Sequence, residues 1–292
     1  MSGDTGSGIG IGSAYKLVFN DEFNGNFLDE EKWSFKNYMN GYSDLILKST
    51  PDVAAVTTDA DGNGILRFTA SSYSTGKYKT SKSVTTGGKM SFKYGYLEIR
   101  AKVPVGQGVW PSFWLLSSAG ADTPAGEKLG YNSRSVYETE VDVFEIFGSD
   151  ILTPNLHKWW KTQEQIDTYG GYRVSAGTDH TYTLPDTGWH AYGMLWTPNE
   201  ISMFVDGTCY KSYNLNENFC NEKSADVGMT DFHNPLCIIF NNHLFTPAYT
   251  GTAGGAWASR YTVPENFTSA VFEIDYVRLY QKPDQSKIYY VN

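Results

Sequence analysis

The chain has 292 residues, 40% of them hydrophobic and 19% charged, with 23 Lys and Arg against 32 Asp and Glu for a net charge of −9. This is a globular composition with no basic footprint for phosphate backbones or anionic membrane surfaces, and no apolar run approaches the roughly 20 residues of a spanning helix. Nucleic acid and membrane insertion are thereby set aside as partners, and a monomer is expected.

In chain order, residues 1–13 have neither a positive n-region nor an apolar h-region, so they read as a linker or an expression remnant rather than a signal peptide. Period-2 segments bounded by turn residues then recur, at Tyr15–Phe19, Gly64–Ala70, Gly95–Val103, Val109–Leu116 and Glu138–Phe147. They continue at Trp189–Thr197, at Glu200–Val205 with an Asp206 and Gly207 hairpin turn, at Leu236–Phe240 and at Ala270–Tyr280. Helical periodicity is weak, and Leu28–Trp33 offers one or two turns at most. An all-β sandwich forming one domain over 14–280 is expected, with 281–292 a linker stub or a last edge segment. Cys209, Cys220 and Cys237 are too few for a disulfide framework, although Cys209 and Cys220 could close a short loop.

Within YETEVDVFEIFG, Glu138, Glu140 and Asp142 alternate with Thr139, Val141 and Val143, so a regular strand projects their carboxyl groups from one face. Glu145 follows Glu140 at an odd offset and reaches that face only if Val143 or Phe144 is the extra residue of a β-bulge. Two carboxyls about 5 to 5.5 Å apart are what a retaining glycosidase requires, and a third between them separates their pKa values. Alternation alone equally fits a strand with a solvated polar face. The flanks add Trp110 and Trp114 upstream, with His157, Trp159 and Trp160 downstream. Flat indoles beside carboxylates suit the C–H face and hydroxyl edge of a pyranose, while Trp160, of opposite parity, is expected in the core.

At these residues the sequence resembles glycoside hydrolase family 16. LVFNDEFNG, GKMSFKYGYLEIRAKVPVGQGVWPSFWLL, EVDVFEIFG, WHAYGMLWTPNEISMFVDG and FEIDYVRLYQ match the family's landmarks in the family's order. The resemblance implies a concanavalin A-like β-jelly-roll sandwich with a cleft on its concave sheet, and a secreted or cell-surface retaining endo-β-glycosidase needing no cofactor for catalysis. It makes Glu140 the nucleophile, Glu145 the acid/base and Asp142 the carboxyl that tunes the pair, while the flanking residues themselves put Trp110, Trp114, His157 and Trp159 against substrate. It also implies a structural calcium held by Asp275 and Glu22, with hard oxygen ligands.

Two departures bear on substrate. Laminarinase-like members carry Asn-Asn-Glu-Leu-Gln where this chain reads GYSDLILKST, Gly41–Thr50, and an Arg near Ser83; Lys161–Leu184 and Phe245–Arg260 look like inserts. With Lys158 and Lys161 read as solvated loop lysines, a neutral β-1,3- or mixed β-1,3/1,4-glucan is the first expectation. An endo-β-galactosidase acting on mucin-type or poly-N-acetyllactosamine-type chains is the alternative. A non-catalytic glycan-binding module is the remaining reading, and it has no need for three clustered acids.

Overall fold

The structure, a computed structural model, describes residues 11–117, 137–160, 163–169, 173–176, 181–217, 228–229, 232–252 and 258–290. The first strands are β1 (Lys16–Asp21), β2 (Ser34–Lys36), β3 (Leu45–Lys48), β4 (Ala54–Thr58), β5 (Gly64–Ser74), β6 (Lys77–Ser81) and β7 (Ser83–Thr85). Next come β8 (Met90–Lys93), β9 (Gly95–Lys102), β10 (Val109–Leu116), β11 (Tyr137–Ile146), β12 (Ile151–Trp160), helix α1 (Gln163–Tyr169), β13 (Arg173–Ser175) and β14 (Tyr182–Thr183). The chain continues through β15 (Trp189–Trp196), β16 (Glu200–Val205), β17 (Thr208–Asn214), β18 (Cys237–Leu244), helix α2 (Pro247–Thr252), β19 (Ser269–Gln281) and β20 (Lys287–Tyr290).

These strands build a β-jelly-roll sandwich. One sheet has ten strands around the path β17-β16-β15-β9-β19-β5-β6-β3, and the other has eight around β13-β12-β11-β10-β18-β7-β2. The core between them follows from alternation: Leu97, Ile99 and Ala101 of β9 point inward, as do Phe113 and Leu115 of β10. Phe144 of β11 crosses to Tyr192 of β15 with ring centroids 4.8 Å apart. Burying a side chain of this size stabilises the fold by about 1.5–3 kcal/mol. The Asp206–Gly207 turn joins β16 to β17 with both φ angles positive, 47° and 79°, as a type I′ hairpin requires.

Most of the local expectations hold, and that for Lys158 changes. Leu28–Trp33 forms no helix; a single turn, closed by the Trp33 amide on the Asp29 carbonyl, buries Trp33 so that its indole donates to Asp21 at 2.8 Å. The tail is an edge segment, since β20 pairs with β8. Lys158 lies on a strand rather than a loop and is buried, its ammonium donating to the Gly228 carbonyl. Trp160 is in the core, as its parity requires. Cys237 is buried, Cys209 is exposed, and Cys220 lies outside the described residues.

Glu22 and Asp275, the two carboxylates expected at a calcium ion, each have an arginine partner. Glu22 accepts from Arg278 Nε at 2.9 Å and Nη2 at 2.8 Å, and Asp275 faces Arg100 at 2.5 Å. A guanidinium on each carboxylate opposes a cation at these oxygens.

Candidate active site

Strand β11 carries the odd spacing in its register. Against β12, Asp142 faces Asn155 and Glu145 faces Thr153, so three residues on one strand span two on the other. Against β10, Phe113 faces Phe144 and Trp114 faces Asp142, which leaves Val143 as the extra residue. Val141, Val143, Phe144 and Ile146 are fully buried in the core, while Glu140, Asp142 and Glu145 line one cleft. The Val143 carbonyl accepts a hydrogen bond from the Tyr210 hydroxyl, which reaches across the sandwich from β17. No pattern near β11 signals that partner.

The same cleft, about 780 Å³ in volume, is lined by Trp110, Trp114, His157 and Trp159, so all four residues expected against substrate converge on the acids. Trp110 Nε1 donates to Glu145 Oε1 at 2.8 Å, and Trp159 Nε1 donates to Glu140 Oε2 at 2.9 Å. Each outer carboxyl therefore has one oxygen fixed by an indole. His157 Nε2 is 3.1 Å from Asp142 Oδ2, and its Nδ1 is 2.5 Å from Ser175 Oγ. The Ser175 hydroxyl is the ring's hydrogen-bond partner, while Asp142 Oδ2 is buried without one among the described residues. Trp114 is nearly buried, and its indole donates to Asn241, whose amide donates in turn to Ser112.

Burial pushes Glu140, Asp142 and Glu145 above the ordinary carboxylate range, and the Asp142 charge raises both glutamates further. Arg173 opposes that rise at all three. His157 moves the other way, held neutral by burial with its pKa pushed down to about 4. Among the described residues, one cluster brings three metal-ligand atoms within 4.8 Å of one another, and it is Glu140, Asp142 and His157. The side-chain hydrogen bonds that fix this cluster come from outside it, from Trp159 to Glu140 and between Ser175 and His157.

Tyr38, Tyr42, Tyr249, Tyr261, Arg173 and Arg260 also line the cleft and were not legible as site residues. They come from aperiodic stretches and from the two insert-like segments. Asp44, in the stretch that departs from laminarinases, accepts from Thr246 Oγ1 at 2.7 Å and from the Ala248 amide at 2.8 Å, anchoring the start of α2. That anchor holds Tyr249 beside Tyr42, with ring centroids 5.1 Å apart, and beside Trp110 at 5.6 Å. Ser83, where an Arg was expected of a glucanase, is buried in β7 and lines no part of the cleft.

Tyr210→Phe tests the bulge support. The variant keeps the ring and leaves a buried carbonyl without its donor, a loss of about 1–3 kcal/mol. With Glu145 less firmly placed, kcat is expected to fall about 10-fold or more at little change in KM. A lowered melting temperature with unchanged kcat would assign the hydroxyl to stability alone.

A jelly-roll sandwich whose bulged strand presents three carboxyls to an indole-lined cleft defines a glycoside hydrolase. The family model "Glycosyl hydrolases family 16" matches residues 49–230, and the chain belongs to that family. It is 29% identical over 274 residues to a Beta-glucanase of Rhodothermus marinus, covering 91% of this chain and 85% of that protein. It is 26% identical over 275 residues to a Keratan-sulfate endo-1,4-beta-galactosidase of Sphingobacterium multivorum, covering 92% of this chain and 56% of that one. The crystal structure of the laminarinase from Rhodothermus marinus superposes with a TM-score of 0.63 at 27% identity, over 91% of this chain and 97% of that one.

Proposed function

We propose that this protein is a retaining endo-β-glycosidase in which Glu140 is the nucleophile and Glu145 the general acid/base, with β-1,3- or mixed β-1,3/1,4-glucan as substrate. The observation that carries the assignment is the Val143 bulge, which sets both glutamates on one face with opposite oxygens fixed by Trp159 and Trp110. Glu140, ionised through its unclamped oxygen Oε1, attacks the anomeric carbon as the glycosidic C–O bond breaks. Glu145 gives its proton to the departing oxygen, producing one free saccharide end and a glycosyl ester on Glu140. Glu145, now ionised, takes a proton from water, whose oxygen attacks the same carbon and restores the Glu140 carboxylate. Two inversions leave the β-anomer. Asp142 stands between the two glutamates, and its charge holds both of their pKa values up.

The glucan reading is supported by the Rhodothermus marinus relatives. A galactose-containing substrate is the second reading, and Asp44 favours it, because the stretch that departs from laminarinases is here spent on anchoring α2 and Tyr249 against the cleft. A site that hydrogen-bonds an axial hydroxyl rejects the equatorial epimer by orders of magnitude, so one class should dominate. Laminarin, lichenan and a keratan-type glycan at equal mass, followed by product mass and anomer analysis, separate the readings. Oligosaccharide ladders of β-configuration from either glucan are expected. Release from the keratan-type chain alone would install the second reading, and no release from any would remove the enzyme assignment. Polymers of this size do not cross membranes, so we place the activity outside the cytoplasm, carried by a single chain; cell fractionation and light scattering test both.

A further inference from the structure

We infer that the cleft recognises a negatively charged substituent, a sulfate ester or a carboxylate, on the glycan it cleaves, with Arg173 and Arg260 as its ligands. The inference rests on the glycosidase reading and adds the charge of the substrate to it.

The observation is the contrast between the arginines of the cleft and the others among the described residues. Arg67, Arg100 and Arg278 each pair with a carboxylate, Glu273, Asp275 and Glu22 respectively, at 2.5–2.8 Å. Arg173 and Arg260 have no ion-pair partner among the described residues, although the chain holds 32 acids against 23 bases. Both are exposed, and both line the cleft. Each is laid over an aromatic ring of the same cleft, Arg173 over Trp159 at 4.8 Å and Arg260 over Tyr261 at 4.9 Å.

Stacking on a ring reduces the guanidinium's freedom while leaving its N–H edge open, the state in which a planar fork binds two oxygens of an oxyanion with the least loss of entropy. Register places Arg173 opposite Trp159, whose indole holds Glu140, so it stands at the nucleophile's end of the acid row. Tyr261 touches Phe147, two residues beyond Glu145, which sets Arg260 beyond the other end. A bound glycan would pass both cations. Neutral hydroxyls need no permanent charge, and a sugar oxyanion beside a buried acid row needs a fixed counter-charge.

Paired substrates of one backbone and two charges test this: keratan sulfate with its desulfated form, and carboxymethylated β-1,3-glucan with the unmodified polymer. The wild-type protein should show kcat/KM about 10-fold or more higher on the charged member of one pair, less so as salt rises. The sulfate and carboxylate pairs tell the two oxyanions apart. Arg260→Ala and Arg173→Ala should each reduce the preference, and Arg173→Lys should restore it only in part. Equal rates on both members of both pairs, or a preference that survives both alanine variants, would overturn the inference. So would an Arg173→Ala variant that shifts the pH profile identically on charged and neutral members, since Arg173 would then serve only the acids. Binding of the same pairs to Glu140→Gln, read by calorimetry, needs no turnover. Charge-selective binding without wild-type hydrolysis would sink the enzyme reading and keep the anion site, and charge-blind binding would sink the site.

Discussion

Glu140→Ala and Glu145→Ala should each lose hydrolysis, and azide should rescue them to products of opposite configuration. Removing the nucleophile is expected to cost on the order of 10⁴-fold or more in kcat, because no covalent intermediate forms. Azide entering the space left by Glu140 attacks the anomeric carbon directly, while Glu145 still protonates the departing oxygen. One displacement gives an α-glycosyl azide. In Glu145→Ala the ester on Glu140 still forms, most readily with an activated leaving group, and azide then opens it. Two displacements give a β-glycosyl azide. NMR of the first product distinguishes them, and exchanged configurations would reverse the two roles.

Glu140→Gln should be inactive yet more stable than the wild type at alkaline pH. Burial first, and the Asp142 charge second, raise the Glu140 pKa from near 4.5 to about 8. A carboxyl raised in the folded state binds more protons folded than unfolded across that interval. Its contribution is therefore fully present below about pH 4 and is lost as pH rises towards 8. An amide in its place has no charge to desolvate, so the variant escapes the loss. For a chain of this length each ~1 kcal/mol moves the melting temperature by roughly 2–4 °C or less. Melting curves for the two proteins should coincide near pH 4 and separate upward for Glu140→Gln towards pH 8. Separation in the reverse sense would show that Glu140 is stabilised, not strained, by its surroundings.

Much of this site could be read from the sequence because alternation is a local property. The parity of Glu140 and Asp142 with the odd offset of Glu145, and the shared parity of His157 and Trp159, are each set within a single strand, and the bulge restores the one exception. Contacts made across the sandwich are not local. Tyr210 shares no spacing with Val143, from which it is separated by 67 residues. Arg173 and Arg260 come from segments without periodicity, so the sequence showed no cation near the acids where the fold brings two. Lys158 was misread because a charge beside two tryptophans breaks the apolar alternation that would have marked it as strand, and its burial depends on the distant Gly228 carbonyl. The arginine partners of Glu22 and Asp275 were not legible for the same reason: they are fixed by register between strands far apart in the chain.

The bulge at Val143 also decouples the identity of the cleft face from the length of its strand. Strike Val143 from the string and Glu140, Val141, Asp142, Phe144, Glu145, Ile146 alternate without interruption, acids to one side and apolar residues to the other. A single codon gained or lost at this place leaves every flanking side chain on the side it already occupies, where anywhere else along the strand it would invert all those beyond it. Lineages can therefore exchange five-residue and four-residue intervals between the two glutamates without passing through a form whose acid points into the core.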